Sequence, residues 1–328
     1  MDVFRCLSAA TGKEKWAHRT PAVGNLDYGN SPRATPLIHD GFAYLQGAFG
    51  DLACIELATG KAKWALNVRD EFDAADERKW GVCDSPLIAG GNLIVAPGGK
   101  DAALAALDPR TGKPVWKAAS GKPAGYGSFI ASKFGGVLQI VGHDSETLGG
   151  WDAKTGKRLW TLKPDRGGDF NVPTPIALGD KLLVTTENNG TRLFAFKADG
   201  TIDPKPVAVH KKLAPDTHTP VVAAGKVFGV WNRFYCLNAD NLKELYEETA
   251  PAFGAYCALV ASDTRVLVVS RTGELILLDA TAKEYAELAR LSVFKGEKGL
   301  YAHPAFAGTR AYVRGSASVV CVELAPAQ

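Results

Sequence analysis

The sequence lacks most of the short patterns that announce chemistry. Its six histidines, His18, His39, His143, His210, His218 and His303, contain no His-x-x-x-His pair, and its six cysteines contain no Cys-x-x-Cys. Zinc-type ligand spacing is therefore missing. No Gly-x-Ser-x-Gly turn is present to offer a nucleophilic serine. Gly98-Gly99-Lys100 and Gly167-Gly168-Asp169 are glycine-rich but lack a strand–loop–helix setting, which argues against a phosphate cradle. Basic and acidic residues nearly cancel, 38 against 35, and no dense basic run occurs. That balance speaks against nucleic acid or an anionic membrane surface as a partner. No apolar stretch is long enough to span a bilayer, and no long stretch shows a helical period. We assign no catalytic residue and no metal ligand from the sequence. Asp216-Thr217-His218 comes nearest to a metal pair and reads better as an exposed loop cluster.

What the chain does have is a repeat. Thr-Gly-Lys-x-x-Trp occurs four times, at Thr11…Trp16, Thr59…Trp64, Thr111…Trp116 and Thr155…Trp160. A spacing of roughly 40 to 50 residues is the period of propeller blades and large solenoid repeats. A polar residue precedes each turn, and the series continues beyond the motif: Ser8, Glu56, Asp108, Asp152, Lys197, Asn238, Asp279 and Glu323. Four places earlier stand bulky apolar residues (Phe4, Leu52, Leu104, Leu148, Leu193, Phe234, Leu275, Val319). Two places earlier stand mostly small ones (Cys6, Cys54, Ala106, Gly150, Ala195, Cys236, Leu277, Cys321). A strand apolar on both faces is a strand buried between two sheets. The polar side chain bonds backbone amides just beyond it, the glycine supplies a positive φ, and the chain returns carrying the Trp. Asp199-Gly200, Asn238…Tyr246 and Asp279…Lys283 keep the turn and lose the Trp, so the later repeats are degenerate.

A second apolar hairpin precedes each of these, as in Pro86–Val95 and Pro220–Phe228. Each unit is thus four short antiparallel strands, and radial repetition of such sheets predicts an all-β fold, a β-propeller. We place the repeats at 1–20, 31–68, 85–120, 126–163, 173–209, 219–248, 256–291 and 303–326, in one domain over 1–328. That gives seven recognisable blades and an N-terminal half blade. Residues 303–324 are expected to take a fourth strand from residues 13–18. The strand at 3–8 is then surplus, which an eight-blade parent would explain. The first residues already lie within a repeat and do not read as a signal peptide.

Cys6, Cys54, Cys236 and Cys321 share one repeat position, so they read as small buried core residues rather than disulfide partners. Cys83 and Cys257 lie outside it, and either exposure or pairing is open for them.

The strand ending in Leu-Asp, the Thr-Gly-Lys turn and the docking Trp resemble the quinoprotein-type propeller repeat, named for pyrroloquinoline-quinone dehydrogenases. The likeness covers essentially the whole chain. In the dehydrogenases it implies a quinone on the propeller axis with calcium, a catalytic carboxylate, a Trp platform and a disulfide between adjacent cysteines. This chain has no Cys-Cys pair, and its Glu187-Asn188 leads into Asn189-Gly190, a hairpin turn signal. No cofactor is expected. The family also contains non-enzymatic scaffolds, such as the barrel-assembly lipoprotein of bacterial outer membranes. The resemblance to these implies a periplasmic or secreted bacterial scaffold for a protein or peptide partner. The alternative is an enzyme or small-ligand binder that uses the central funnel.

The fixed repeat position of Trp16, Trp64, Trp116 and Trp160 predicts that they close seams between blades. Binding is expected on the loops that lead into the inner strands. Those loops carry Arg33, Asp84, Tyr126, Asn171, His218, Tyr256 and His303, and Trp80 lies in the longest insertion, from Arg69 to Asp84.

Overall fold

The computed structural model describes residues 1–74, 78–119, 122–294 and 300–324. Residues 75–77 of the long insertion, and the expected repeat ends at 120 and 325–326, lie outside them. The fold is all-β, a propeller of four-stranded antiparallel blades. Among the described residues it has a two-stranded sheet first, then six four-stranded sheets, then a three-stranded sheet. Strand order within each four-stranded sheet follows chain order, as in Leu37–His39, Phe42–Gln46, Asp51–Glu56 and Ala62–Asn67. The described helical segments are one turn at Val68–Glu71, capped by the Asn67 side chain, and a 3₁₀ turn at Pro251–Phe253. Both are single turns in inter-sheet insertions and agree with the reading that no long stretch is helical.

The chain forms two compact units. The first is Met1–Leu182 with Ala195–Pro204, and the second is Leu183–Phe194 with Lys205–Gln328. In the first, the third strand of each full sheet is buried on both faces: Leu52, Cys54, Leu104, Ala106 and Trp151 are all nearly inaccessible. The turn that follows is built as its residue types require. Asp108 Oδ1 accepts from the amides of Arg110 and Thr111 and from the Thr111 hydroxyl, and Asp152 repeats this on Lys154 and Thr155. Gly60, Gly112 and Gly156 take φ of +73°, +71° and +72°.

The seam role of the tryptophans follows from those glycines. A side chain at Gly60 would meet Trp16 at 2.5 Å, one at Gly112 would meet Trp64 at 2.8 Å, and one at Gly156 would meet Trp116 at 2.5 Å. Each Trp therefore lies on the turn of the next repeat. Trp16 and Trp64 also donate their indole N–H to the carbonyls of Leu57 and Pro109, at 2.9 and 3.0 Å. Trp160 bonds Gln139 Oε1 instead, and the Gln139 amide reaches the Gly200 carbonyl.

The second unit keeps the geometry with other residues. Leu242 stands where the glycine stands, at φ +55° and only 2% exposed, and its amide bonds the Asn238 carbonyl as Gly112 bonds Asp108. Tyr246 takes the Trp position opposite Cys236. Phe228, Phe234 and Phe253 form the buried core of this part, with Tyr246 and Tyr285 packed against it.

Two expectations are corrected at the chain's first and last sheets. Glu14–Thr20 pairs with Asp2–Leu7, and Val319–Glu323 ends a sheet of three strands among the described residues. Residues 13–18 therefore do not complete that sheet. The thiols divide accordingly: Cys54 and Cys236 are buried, Cys6 is half-buried and Cys321 exposed. The last two sit in incomplete sheets, where a third strand is not covered on both sides. All six cysteines are free, Cys83 half-buried and Cys257 buried.

Candidate functional site

Trp80 is presented by a heavily anchored loop. Arg78 and Asp84, at 8% and 1% exposure, form a buried ion pair at 3.3 Å. The Arg78 guanidinium also donates to the carbonyls of Ala96 and Pro97, and the Gln46 amide donates to the Asp84 carbonyl. Burial pushes the Asp84 carboxyl upward against the pull of Arg78. Such a pair costs desolvation energy and fixes geometry in return. Gly81 then turns at φ +73°, where any side chain would strike the Ala48 carbonyl at 2.5 Å. The indole is held at the tip.

Two further loops bring aromatic rings to it. The Trp80 ring centre lies 4.8 Å from Tyr126 and 4.9 Å from Phe170, tilted and edge-on respectively. Phe170 is 48% exposed, and Lys79 approaches the Trp80 ring at 5.7 Å. The Trp80 indole N–H meets no acceptor among the described residues. Asn171 sits behind Phe170, buried, at φ +55°. Its side chain donates to the Asp144 carbonyl and its own carbonyl accepts from Gly127, next to Tyr126. A cavity of about 360 Å³ adjoins this loop, lined among others by Glu146, Lys163, Asp169 and Asn171.

The second unit has its own cluster. His218 packs edge-on against Tyr256 at 5.5 Å and lies 6.3 Å from Trp231. Tyr256 donates its hydroxyl to the Tyr301 carbonyl, and the two rings are 5.2 Å apart. Tyr301 is 46% exposed, with Arg271 over its face. His218 is 5% exposed, which corrects its reading as part of an exposed loop cluster. Its Nδ1 pairs with the Thr217 hydroxyl, and that hydroxyl bonds Asp216, while its buried Nε2 meets no partner among the described residues. Burial pulls the His218 pKa down to about 4.

The sequence-derived residues thus separate into two kinds. Trp80 and Tyr126 meet in one cluster, and His218 and Tyr256 in the other. Asp84 and Asn171 are buried supports. Arg33 spends its guanidinium on the carbonyls of Asp27, Gly29 and Ser31 and organises its own loop. His303 is exposed, and no described ring contact joins it to either cluster. Sequence reading missed Phe170, Tyr301, Lys79 and Arg271. Its one available signal was an aromatic in a loop with no counterpart in the other repeats.

Glu187 and Asn188 lie in the turn between Lys181–Thr186 and Gly190–Ala195. No group of three His, Cys, Asp or Glu among the described residues is placed to hold a metal ion. No described helix is long and apolar enough to cross a membrane.

Residues 1–245 match the family described as outer membrane protein assembly factor BamB. BamB of Yersinia pestis is 22% identical over 282 residues, covering 83% of this chain and 65% of that one. The quinone alcohol dehydrogenase subunit of Acetobacter aceti is 31% identical over 170 residues, 45% of this chain. The matched part is only 22% of that enzyme's length. Among solved structures, BamB of Moraxella catarrhalis aligns with TM-score 0.65 at 18% identity, over 94% of this chain and 88% of its own. A quinohemoprotein alcohol dehydrogenase of Comamonas testosteroni gives 0.66 at 13%, over 95% and 67%. At those identities the structural likeness shows the fold alone.

Proposed function

This chain belongs to the family of the outer membrane protein assembly factor BamB, and from that premise we propose that it is a non-enzymatic, extracytoplasmic scaffold that binds a protein partner. The observation that carries the reading is the loop cluster of Trp80, Tyr126 and Phe170. Aromatic rings on rigid supports are what protein interfaces use as anchors, and Phe170 presents its ring to solvent at 48% exposure. Arg33, Asp84 and Asn171 serve by holding the loops. Tyr256, Tyr301 and Arg271, with His218 beneath and His303 exposed nearby in sequence, form a second contact surface in the other unit.

The test is affinity capture from membrane extracts of the source organism with wild type and with Trp80→Ala/Phe170→Ala. The double variant is expected to keep its melting temperature and lose the partners captured by wild type. Retention of every partner would remove the cluster from the binding surface. A second reading rests on the 31% identity to a quinone alcohol dehydrogenase subunit. It is checked by dye reduction with primary alcohols, pyrroloquinoline quinone and calcium. We expect no turnover, and turnover lost in the Trp80 variant would replace the scaffold reading with an enzymatic one.

A further inference from the structure

The cavity beside the Phe170 loop has fixed walls. It lies wholly within the first unit, and its volume of about 360 Å³ is at the lower end of small-ligand sites, which span about 300 to 1,000 Å³. The turn between Val137–His143 and Leu148–Asp152 lines it with Ser145, Glu146 and Thr147. The loop after Arg158–Leu162 lines it with Lys163, Asp169 and Asn171. Thr147, Asp169 and Asn171 are at most 8% exposed. Asp144 holds both loops from behind. Its Oδ1 accepts from the amides of Glu146 and Thr147 at 2.9 and 2.6 Å, and its Oδ2 from the Thr147 hydroxyl at 2.7 Å and Arg158 at 3.2 Å. Its carbonyl accepts from the Asn171 side chain at 3.1 Å. Walls held in this way need little ordering when a ligand enters.

Charge and side-chain type narrow what fits. Glu146 is paired with Lys122 at 2.8 Å, and Asp144 with Arg158. Lys163 and Asp169 then leave the lining with no net charge. An anion would meet the Asp169 carboxylate, and a cation would meet the Lys163 ammonium. No lining side chain is aromatic or a large aliphatic, so an apolar ligand finds little to pack on. The remaining hydrogen-bonding capacity is mixed. Among the described residues the Lys163 ammonium and the Ser145 hydroxyl make no hydrogen bond, and the Asn171 side-chain carbonyl accepts none. Hydroxyl groups, each both donor and acceptor, match such a set. Phe170 stands between Asp169 and Asn171 with its ring 48% exposed. The electron-rich face of an aromatic ring suits the C–H face of a sugar.

We infer that this cavity binds a small uncharged saccharide, with its hydroxyls on Ser145, Lys163, Asp169 and Asn171 and one ring face against Phe170. The site is complete without a protein partner and does not depend on the scaffold reading.

The probes are the methyl glycosides of glucose, galactose, mannose and N-acetylglucosamine, titrated to millimolar concentration into the full chain and followed by amide chemical shifts. At least one should give saturable shifts confined to the turn of Ser145–Thr147 and the loop of Lys163–Asn171. Lys163→Met, an exposed change, should keep the melting temperature and weaken that sugar about tenfold, the loss of one hydrogen bond to a charged donor. The same variant should still capture every partner that wild type captures, so the cavity and the scaffold reading can fail separately. The proposal is overturned if no glycoside saturates, or if Lys163→Met binds the sugar as wild type does. It is also overturned if sodium acetate or glycine gives the same saturable shifts, which would make the occupant an anion or a zwitterion.

Discussion

The two units solve one packing problem with different chemistry. In the first, the carbonyl that follows the turn residue, Leu57 or Pro109, receives an indole N–H from the Trp of the preceding repeat. In the second, the equivalent carbonyl is that of Ala280, and its donor is the Lys226 ammonium, which also reaches Ala282. Not every seam uses that bond: the Trp116 N–H meets no acceptor among the described residues, and Trp160 bonds Gln139. Ring packing against a glycine needs the same two residues in every repeat, so it leaves a sequence signature. An ammonium reaching from another strand of the preceding sheet needs only that one lysine be long enough. At the Leu57, Pro109 and Ala280 seams the carbonyl is satisfied by whichever residue can reach it.

Four measurements bear on that contrast. Trp64→Ala removes a half-buried ring and the donor to Pro109, and should cost about 3 kcal/mol, measured by urea unfolding. An unchanged midpoint would mean that the glycine turn holds the seam without the ring. Acidification should act through the second unit. Unfolded His218 takes up a proton near its ordinary pKa of 6.5, and the folded group resists until about 4. The unfolded state then binds more protons across that window, so stability falls as pH drops through it, by roughly 3 kcal/mol in full. His218→Gln should flatten the profile, and an unaltered slope would assign the effect elsewhere. Lys226→Met should cost about 1 to 3 kcal/mol, the penalty for leaving buried carbonyls unpaired. Faster hydrogen exchange should then be confined to residues 279–286, and a global rise would contradict a local seam. The smallest effect on stability comes from alkylating thiols. Cys321 should react in the folded protein at no cost, while Cys54 and Cys236 stay protected. Burial raises the pKa of both, that of Cys236 to about 11, and so suppresses the thiolate.

Much of the fold was legible because a strand buried on both faces cannot hide its period. Each third strand, its turn and its partner ring could be read from four copies and extended to eight. The substitutes in the second unit were not legible. Leucine is not a signal for positive φ, so nothing in the sequence marks Leu242 as the successor of a glycine. Its buried side chain compensates for the backbone strain. The binding loops were legible only as places. Their residues answer to no repeat, so Asp84 looked like a ligand contact when its carboxylate is committed to Arg78. Phe170 went unremarked beside Asn171, and Tyr301 beside His303. Exposure at the incomplete sheets was missed for a related reason. Repeat position fixes which way a side chain points, but not whether a neighbour is there to meet it.

The seam of Trp on glycine has a consequence for how such a chain can change over time. At the Trp16–Gly60, Trp64–Gly112 and Trp116–Gly156 junctions a ring at one repeat's trailing end meets a glycine socket in the next turn, so these three are the same head-to-tail fit. A segment copied from one Trp to the next brings both halves of the joint with it. The array can lengthen or shorten by one repeat without inventing an interface, as in other nearest-neighbour repeat systems. The Lys226 joint lacks that freedom, because its two halves differ from those on either side. The three Trp–glycine junctions are open to duplication, and the Lys226 joint is fixed in its order.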